Sequence, residues 1–175
     1  MNKEKVDVLI IGAGPAGSVS AGIIQKSGLK TMVVEKLRFP RFVIGESLLP
    51  RTMEALEDAG LLEKIKSMNF QEKFGAKFVR GHETCDYNFS DQYTKGWNWT
   101  WQVPRAEFDS ALIEEVQDKG TPVFFESEVT DIKFYPDYSI TTVQSDQGTT
   151  EIEAKFIIDA SGYGRVIPKM FNLDK

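Results

Sequence analysis

Gly12, Gly14 and Gly17, in the run Gly12-Ala13-Gly14-Pro15-Ala16-Gly17, have the types and spacing of a loop that cradles a pyrophosphate. Gly12 permits a tight turn, Gly14 lets a phosphate approach the backbone, and Gly17 lets a helix pack closely on a strand. The anion is then held by the N-terminus of that helix, where unpaired N–H groups and the helix dipole favour negative charge. Glu35 lies downstream, at the end of the apolar run Met32-Val33-Val34, where a carboxylate accepts hydrogen bonds from ribose hydroxyls. The pair points to a dinucleotide. A carboxylate at this position disfavours a 2′-phosphate through repulsion and desolvation, although Lys36 and Arg38 lie close enough to soften the effect. NADP is therefore not the expected ligand, while NAD and FAD both stay open on these residues.

The elements that must position these groups are readable on either side. Val6 to Ile11 is a short, mostly β-branched and aliphatic run ending in the glycine turn, as a buried parallel strand does. Ala16, Val19, Ser20, Ile23 and Ile24 recur at helical spacing until Gly28, which can supply a left-handed cap, and Leu29 to Glu35 gives a second strand. Residues 5–36 thus form one βαβ unit with an expected right-handed crossover. Leu48 to Leu62 reads as a helix broken at Gly60, and Phe74 to Val79 alternates like a strand. Pro104 opens another helix, with Phe108, Ala111, Leu112 and Val116 on one face, Arg105 and Asp109 on another, and Gly120 as its stop. Four strands follow over 122–126, 128–135, 139–145 and 151–159, with Pro136-Asp137 and Asp146-Gln147-Gly148 as turns. The expected class is α/β, a Rossmann-like FAD/NAD(P)-binding fold with a parallel sheet, a helical layer and a smaller antiparallel sheet.

Composition bounds the alternatives. At 175 residues the chain has the length of one domain, read here as residues 1–175, and its 41% apolar content is enough for a sizeable core. The net charge is −5 and no window forms a basic stripe, so nucleic acid is not an expected partner. The longest apolar stretch, Val8 to Gly17, falls far short of the ~20 residues of a membrane helix, so no membrane span and a cytoplasmic location are expected. Cys85 and His82 are the sole cysteine and histidine, which excludes an intrachain disulfide and a metal centre built on Cys or His, and His82 is expected at the surface or in a loop.

Three further segments follow the glycine loop in a telling order: Arg41 with Gly45-Glu46-Ser47-Leu48-Leu49-Pro50, then Arg105-x-x-Phe108-Asp109 at a helix start, then Ile157-Ile158-Asp159-Ala160-Ser161-Gly162. This order resembles the FAD-dependent monooxygenases, and the glycine-glutamate-serine-leucine segment more narrowly resembles flavin-dependent halogenases and geranylgeranyl reductase-like proteins. The resemblance runs over nearly the whole chain and implies FAD as cofactor. It implies that Gly12, Gly14, Pro15, Ala16 and Gly17 hold the pyrophosphate, Glu35 and Lys36 the adenosine ribose, and Arg105 the pyrophosphate and ribityl side. It further implies that Val129 meets the adenine through its backbone, that Arg41, Glu46 and Ser47 sit near the flavin end, and that Asp159, Ala160, Ser161 and Gly162 pass beside the cofactor. The implied chemistry is oxidation of a small-molecule substrate, or of halide, by a peroxyflavin, with electrons from NAD(P)H or a separate flavin reductase. Reduction of alkene double bonds, as in the reductase-like branch, is the alternative, and a non-catalytic dinucleotide-binding module is the alternative of another class.

Lys73 falls where halogenases carry the lysine that receives or steers hypohalous acid, and its plain alternative is a surface lysine flanking a strand. Trp97, Trp99 and Trp101 would share one face of a strand, with core or interface packing the expected role. The family's tryptophan motif lies downstream of the aspartate-alanine-serine-glycine segment, so Trp99-x-Trp101-x-Val103-Pro104 is read as an accidental echo. Family members run much longer, with a later glycine-aspartate segment and a second sheet that holds substrate. The expectation is an N-terminal FAD-binding portion without the substrate domain.

Overall fold

In the computed structural model, which describes residues 2–173, the first strand occupies the middle of the main sheet. This strand, β1 (Asn2–Ile11), is exposed over its first four residues and enters the core at Val6. Its partners are both parallel: β2 (Thr31–Val34) on one side and β10 (Gly148–Asp159) on the other. A strand flanked in this way is buried on both faces, which is why Val8 to Ile11 is uninterrupted in hydrophobicity. The sheet has the order β7-β2-β1-β10-β9-β8, with β7 (Val123–Phe124) parallel and β9 (Ser139–Ser145) and β8 (Glu128–Phe134) joined antiparallel.

Successive residues of β1 serve opposite faces. Val8 and Ile10 meet the helical layer, made by α1 (Pro15–Lys26), α2 (Pro50–Ala59), α3 (Leu62–Ser67) and α4 (Arg105–Asp118), through Ala21, Met53, Leu56, Ile65, Phe108 and Leu112. Leu9 and Ile11 join Met32, Val34, Ile132, Val143 and Ile152 in a second cluster, which takes in residues of β8 and β9. The face expected for α4 is the one buried: Phe108, Ala111, Leu112 and Val116 are all in the core. Gly28 (φ +77°) and Gly60 (φ +72°) take the left-handed conformation after α1 and α2, as their positions required.

The middle of the chain departs from its sequence reading. The strand expected at 74–79 is β4 (Gly75–Arg80), which forms a hairpin with an unanticipated partner, β5 (Glu83–Asn88), and His82 is exposed in the turn between them. A second ribbon pairs β3 (Gln71–Lys73) with β6 (Thr100–Gln102). Of the three tryptophans only Trp101 lies on a strand. The rings nevertheless meet edge to face, at 5.6 Å between Trp97 and Trp99 and 5.1 Å between Trp99 and Trp101, and pack on the helical core. Packing is thus the observed role. Among the described residues, no helix is long and apolar enough to cross a membrane, and no group of three or more His, Cys, Asp or Glu side chains could hold a metal.

Candidate functional site

The C-terminal ends of β1, β2 and β10 converge on the glycine loop. Gly12 (φ +104°) donates its N–H to Val34 O at 2.8 Å, and a Cβ there would lie 2.6 Å from Ala160 O. Only glycine fits both the backbone and the space. Gly14 caps α1 in an extended conformation with Pro15 in the first turn, and Gly17 packs directly on the Gly12 carbonyl. Neither the cap nor the first turn of α1 supplies an acidic or capping side chain, so the first-turn N–H groups remain for an anion. The cradle therefore fits a pyrophosphate in both shape and donor chemistry.

Glu35 is buried, and its two carboxylate oxygens accept from the backbone N–H groups of Ala13 and Leu37, each at 2.8 Å. The carboxylate that was expected to meet a ribose thus also ties the end of β2 to the glycine loop, and its remaining lone pairs are available to hydroxyl donors. Lys36 pairs with Glu128 at 2.6 Å, and Ser127 N–H donates to Glu35 O, which brings Val129, half-buried on β8, to the same corner. The residues expected around the adenosine thus lie together, Glu35 and Lys36 just after β2 and Val129 on β8.

On the other side of the loop, Ala160 N–H donates to Ile11 O at 2.8 Å, so the turn after β10 lies against Gly12. Asp159 accepts from Ser161 N–H (3.0 Å) and Ile167 N–H (2.8 Å), the latter in the short helix α5 (Val166–Met170). Gly162 (φ +57°) then begins a single 3₁₀ turn. Asp159 to Gly162 holds its shape through the Asp159 carboxylate and the Ser161 hydroxyl, which accept from the backbone that follows.

Arg105 is not a surface ion-pair residue. Its Nε and Nη2 donate to Asp109 Oδ1 and Oδ2 at 2.8 and 3.0 Å, Asp109 is fully buried, and Nη1 donates to Gly45 O at 3.1 Å. Arg41 also approaches Asp109, with Nη1 3.3 Å from Oδ2, and its Nη2 lies 3.2 Å from the position of a Gly14 Cβ. Arg41 therefore sits at the glycine loop beside Arg105, while Glu46 and Ser47 lie further along the loop, joined to β6 through Val103 N–H to Glu46 O and a Ser47–Gln102 bridge. Nothing in the local pattern marks Asp109 as a shared partner beyond its i, i+4 spacing from Arg105.

Lys73, at the end of β3, reaches back to the same loop. Its ammonium donates to Ser47 Oγ and to Leu48 O (2.9 Å) and stands 5.2 Å from the centre of the Phe89 ring. Burial holds its pKa below the ordinary lysine range.

The family profile described as FAD binding domain matches residues 5–171. The chain belongs to the FAD binding domain family. FAD is accordingly the cofactor of this domain, which resolves the choice left open between NAD and FAD. The domain is 34% identical, across 99% of its length, to the 1H-pyrrole-2-carbonyl-(peptidyl-carrier protein) chlorinase of Pseudomonas fluorescens, and spans 43% of that protein. Among solved structures it is 63% identical to a flavoprotein/dehydrogenase from Cytophaga hutchinsonii, with a TM-score of 0.94 over 98% of this chain and 43% of that one. It is 36% identical to CmlS, a flavin-dependent halogenase, with a TM-score of 0.88 over 96% of this chain and 31% of that one. The chain thus spans less than half the length of these relatives.

Proposed function

We propose that this FAD-binding domain serves a flavin-dependent halogenation of a small organic molecule, with Lys73 as the catalytic cation. The observation that carries the reading is the placement of the Lys73 ammonium: partly buried, with no carboxylate partner among the described residues, and held by Ser47 Oγ and Leu48 O on the glycine-glutamate-serine-leucine loop. When bound, FAD supplies the two-electron oxygen chemistry that turns halide into an electrophilic halogen species. The remaining work belongs to the chain's own groups. The α1 N-terminus, Arg105 and Arg41 bind and orient the phosphates, and Glu35 holds the adenosine end. Two of the three N–H donors of Lys73 are fixed by Ser47 and Leu48, which aims the third at an oxidised halogen's oxygen. The relatives support this reading, since the chlorinase and CmlS are halogenating enzymes by description.

A second reading is favoured by the 63% identical flavoprotein/dehydrogenase: transfer of a hydride between the flavin and a small molecule, with Lys73 acting only as a tie between β3 and the loop. The two separate in one assay on the full-length protein supplied with FAD, a flavin reductase with NADH, oxygen and bromide, using a pyrrole-2-carbonyl thioester and simple phenols as probes. Halogenation predicts a product carrying the bromine isotope doublet. A panel without brominated product, together with flavin bleached anaerobically by an organic donor, overturns it in favour of the dehydrogenase.

A further inference from the structure

A fully buried carboxylate is costly unless it is paired, and Asp109 is paired twice over. Both oxygens accept from Arg105 in a fork, leaving that guanidinium one fixed plane and its Nη1 on Gly45 O. Arg41 approaches from the other side. Its Nη1 is close enough to Asp109 Oδ2 for charge attraction but makes no hydrogen bond, although it is buried. The same guanidinium stacks over the Phe39 ring at 4.5 Å, and Phe39 is itself braced edge to face by Phe125 at 5.4 Å. A carboxylate and a ring thus fix a cation whose other nitrogen, Nη2, points at Gly14.

The arrangement is stranger as a stabilising device than as a binding one. A purely structural salt bridge would be complete with one arginine and one carboxylate, and would leave no buried donor unsatisfied. Here two positive charges share one negative charge, so the trio carries a net positive charge at the N-terminus of α1, with one N–H group in reserve. We propose that Asp109 is a positioning residue of the phosphate subsite: it sets Arg41 against Gly14 and Arg105 against Gly45 as a preformed pair of cations for the cofactor's pyrophosphate. The inference rests on the reading of FAD as the ligand and deepens it, because it assigns the affinity to the orientation of the arginines and not to their charge alone. Asp109 touches no phosphate; it acts through Arg41 and Arg105.

The test is FAD titration of the flavin-free, full-length protein, followed by quenching of flavin fluorescence. Asp109→Asn in the native background is expected to weaken FAD binding about tenfold, because the fork to Arg105 and the attraction on Arg41 are both lost. In an Arg41→Gln, Arg105→Gln background the same change is expected to alter the affinity less than about twofold, since no cations remain to be positioned. Equal losses in the two backgrounds would make Asp109 a core carboxylate and overturn the proposal. Arg41→Lys provides the check if Asp109→Asn does not fold: it keeps the charge but loses the stacked plane, and is expected to weaken FAD about tenfold with the thermal midpoint of the flavin-free protein unchanged. Native affinity in Arg41→Lys overturns the orientation argument. Absence of FAD binding by the native protein overturns the cofactor reading itself.

Discussion

Replacing Lys73 with methionine is expected to lower halogenation turnover by about 10²–10⁴-fold while FAD remains bound. Methionine fills a similar volume without a donor, so the change removes chemistry and spares packing. The groups proposed to hold the phosphates are Gly14, Arg41 and Arg105, and the two arginines are held by Asp109 and Gly45 and not by β3. Loss of FAD together with turnover would show Lys73 to be a structural tie to Ser47 and Leu48, as in the dehydrogenase reading. The pH profile gives a second measurement. Burial lowers the Lys73 pKa, so the ammonium loses its proton at lower pH than an ordinary lysine, and turnover that needs its N–H donor falls correspondingly early on the alkaline side. Lys73→Arg keeps a donor that does not deprotonate, and is expected to extend the alkaline limb even where turnover at neutral pH is reduced. The stability linkage has the opposite sense. Between the folded and unfolded pKa values the unfolded chain binds more protons at Lys73, so this residue's contribution to stability rises with pH across that window.

Gly17→Ala is expected to abolish FAD binding and destabilise the fold by about 3 kcal/mol, because the new Cβ overlaps the backbone carbonyl of Gly12. Relief requires α1 to move away from β1, and that movement opens the turn on which the phosphate rests. Gly28→Ala is the contrast. It adds the same atom at φ +77° with nothing within 4 Å, so only the left-handed backbone is penalised, at about 1 kcal/mol, and FAD binding is retained. Urea midpoints and FAD titrations of the two variants check both statements, and comparable losses in the two would refute the steric account of Gly17.

What could be read in advance was local. The βαβ unit, the loop glycines, Glu35 and the α4 face are written in patterns that span a few residues each, so strand burial, turn chemistry and helical spacing located them. β5 was missed because Glu83-Thr84-Cys85-Asp86-Tyr87-Asn88 is exposed throughout and has no buried face to impose alternation. The strands β8 and β9 were legible, but their membership in the main sheet was not, since it is set by pairing between β9 and the first half of β10. The same holds for the site. The resemblance implied the flavin end for Arg41 together with Glu46 and Ser47, while its approach to Gly14 depends on Asp109 and Phe39, which no local pattern shows. The distinction between NAD and FAD lay outside the glycine loop altogether.

The position of β1 between β2 and β10 has a consequence for the order in which this protein takes shape. Within this domain β1 is made before both strands that flank it, and the second of them, β10, is completed only at Asp159. Until Ala160 has left the ribosome, Ile11 lacks its hydrogen-bond partner, Gly12 lacks the wall that shapes its turn, and one side of β1 is an open edge. Such distant pairings are entropically costly to close and form late. The nucleotide cradle is thus made before its partner and completed late: a nascent chain carrying every glycine of the loop does not yet have a place to put a cofactor.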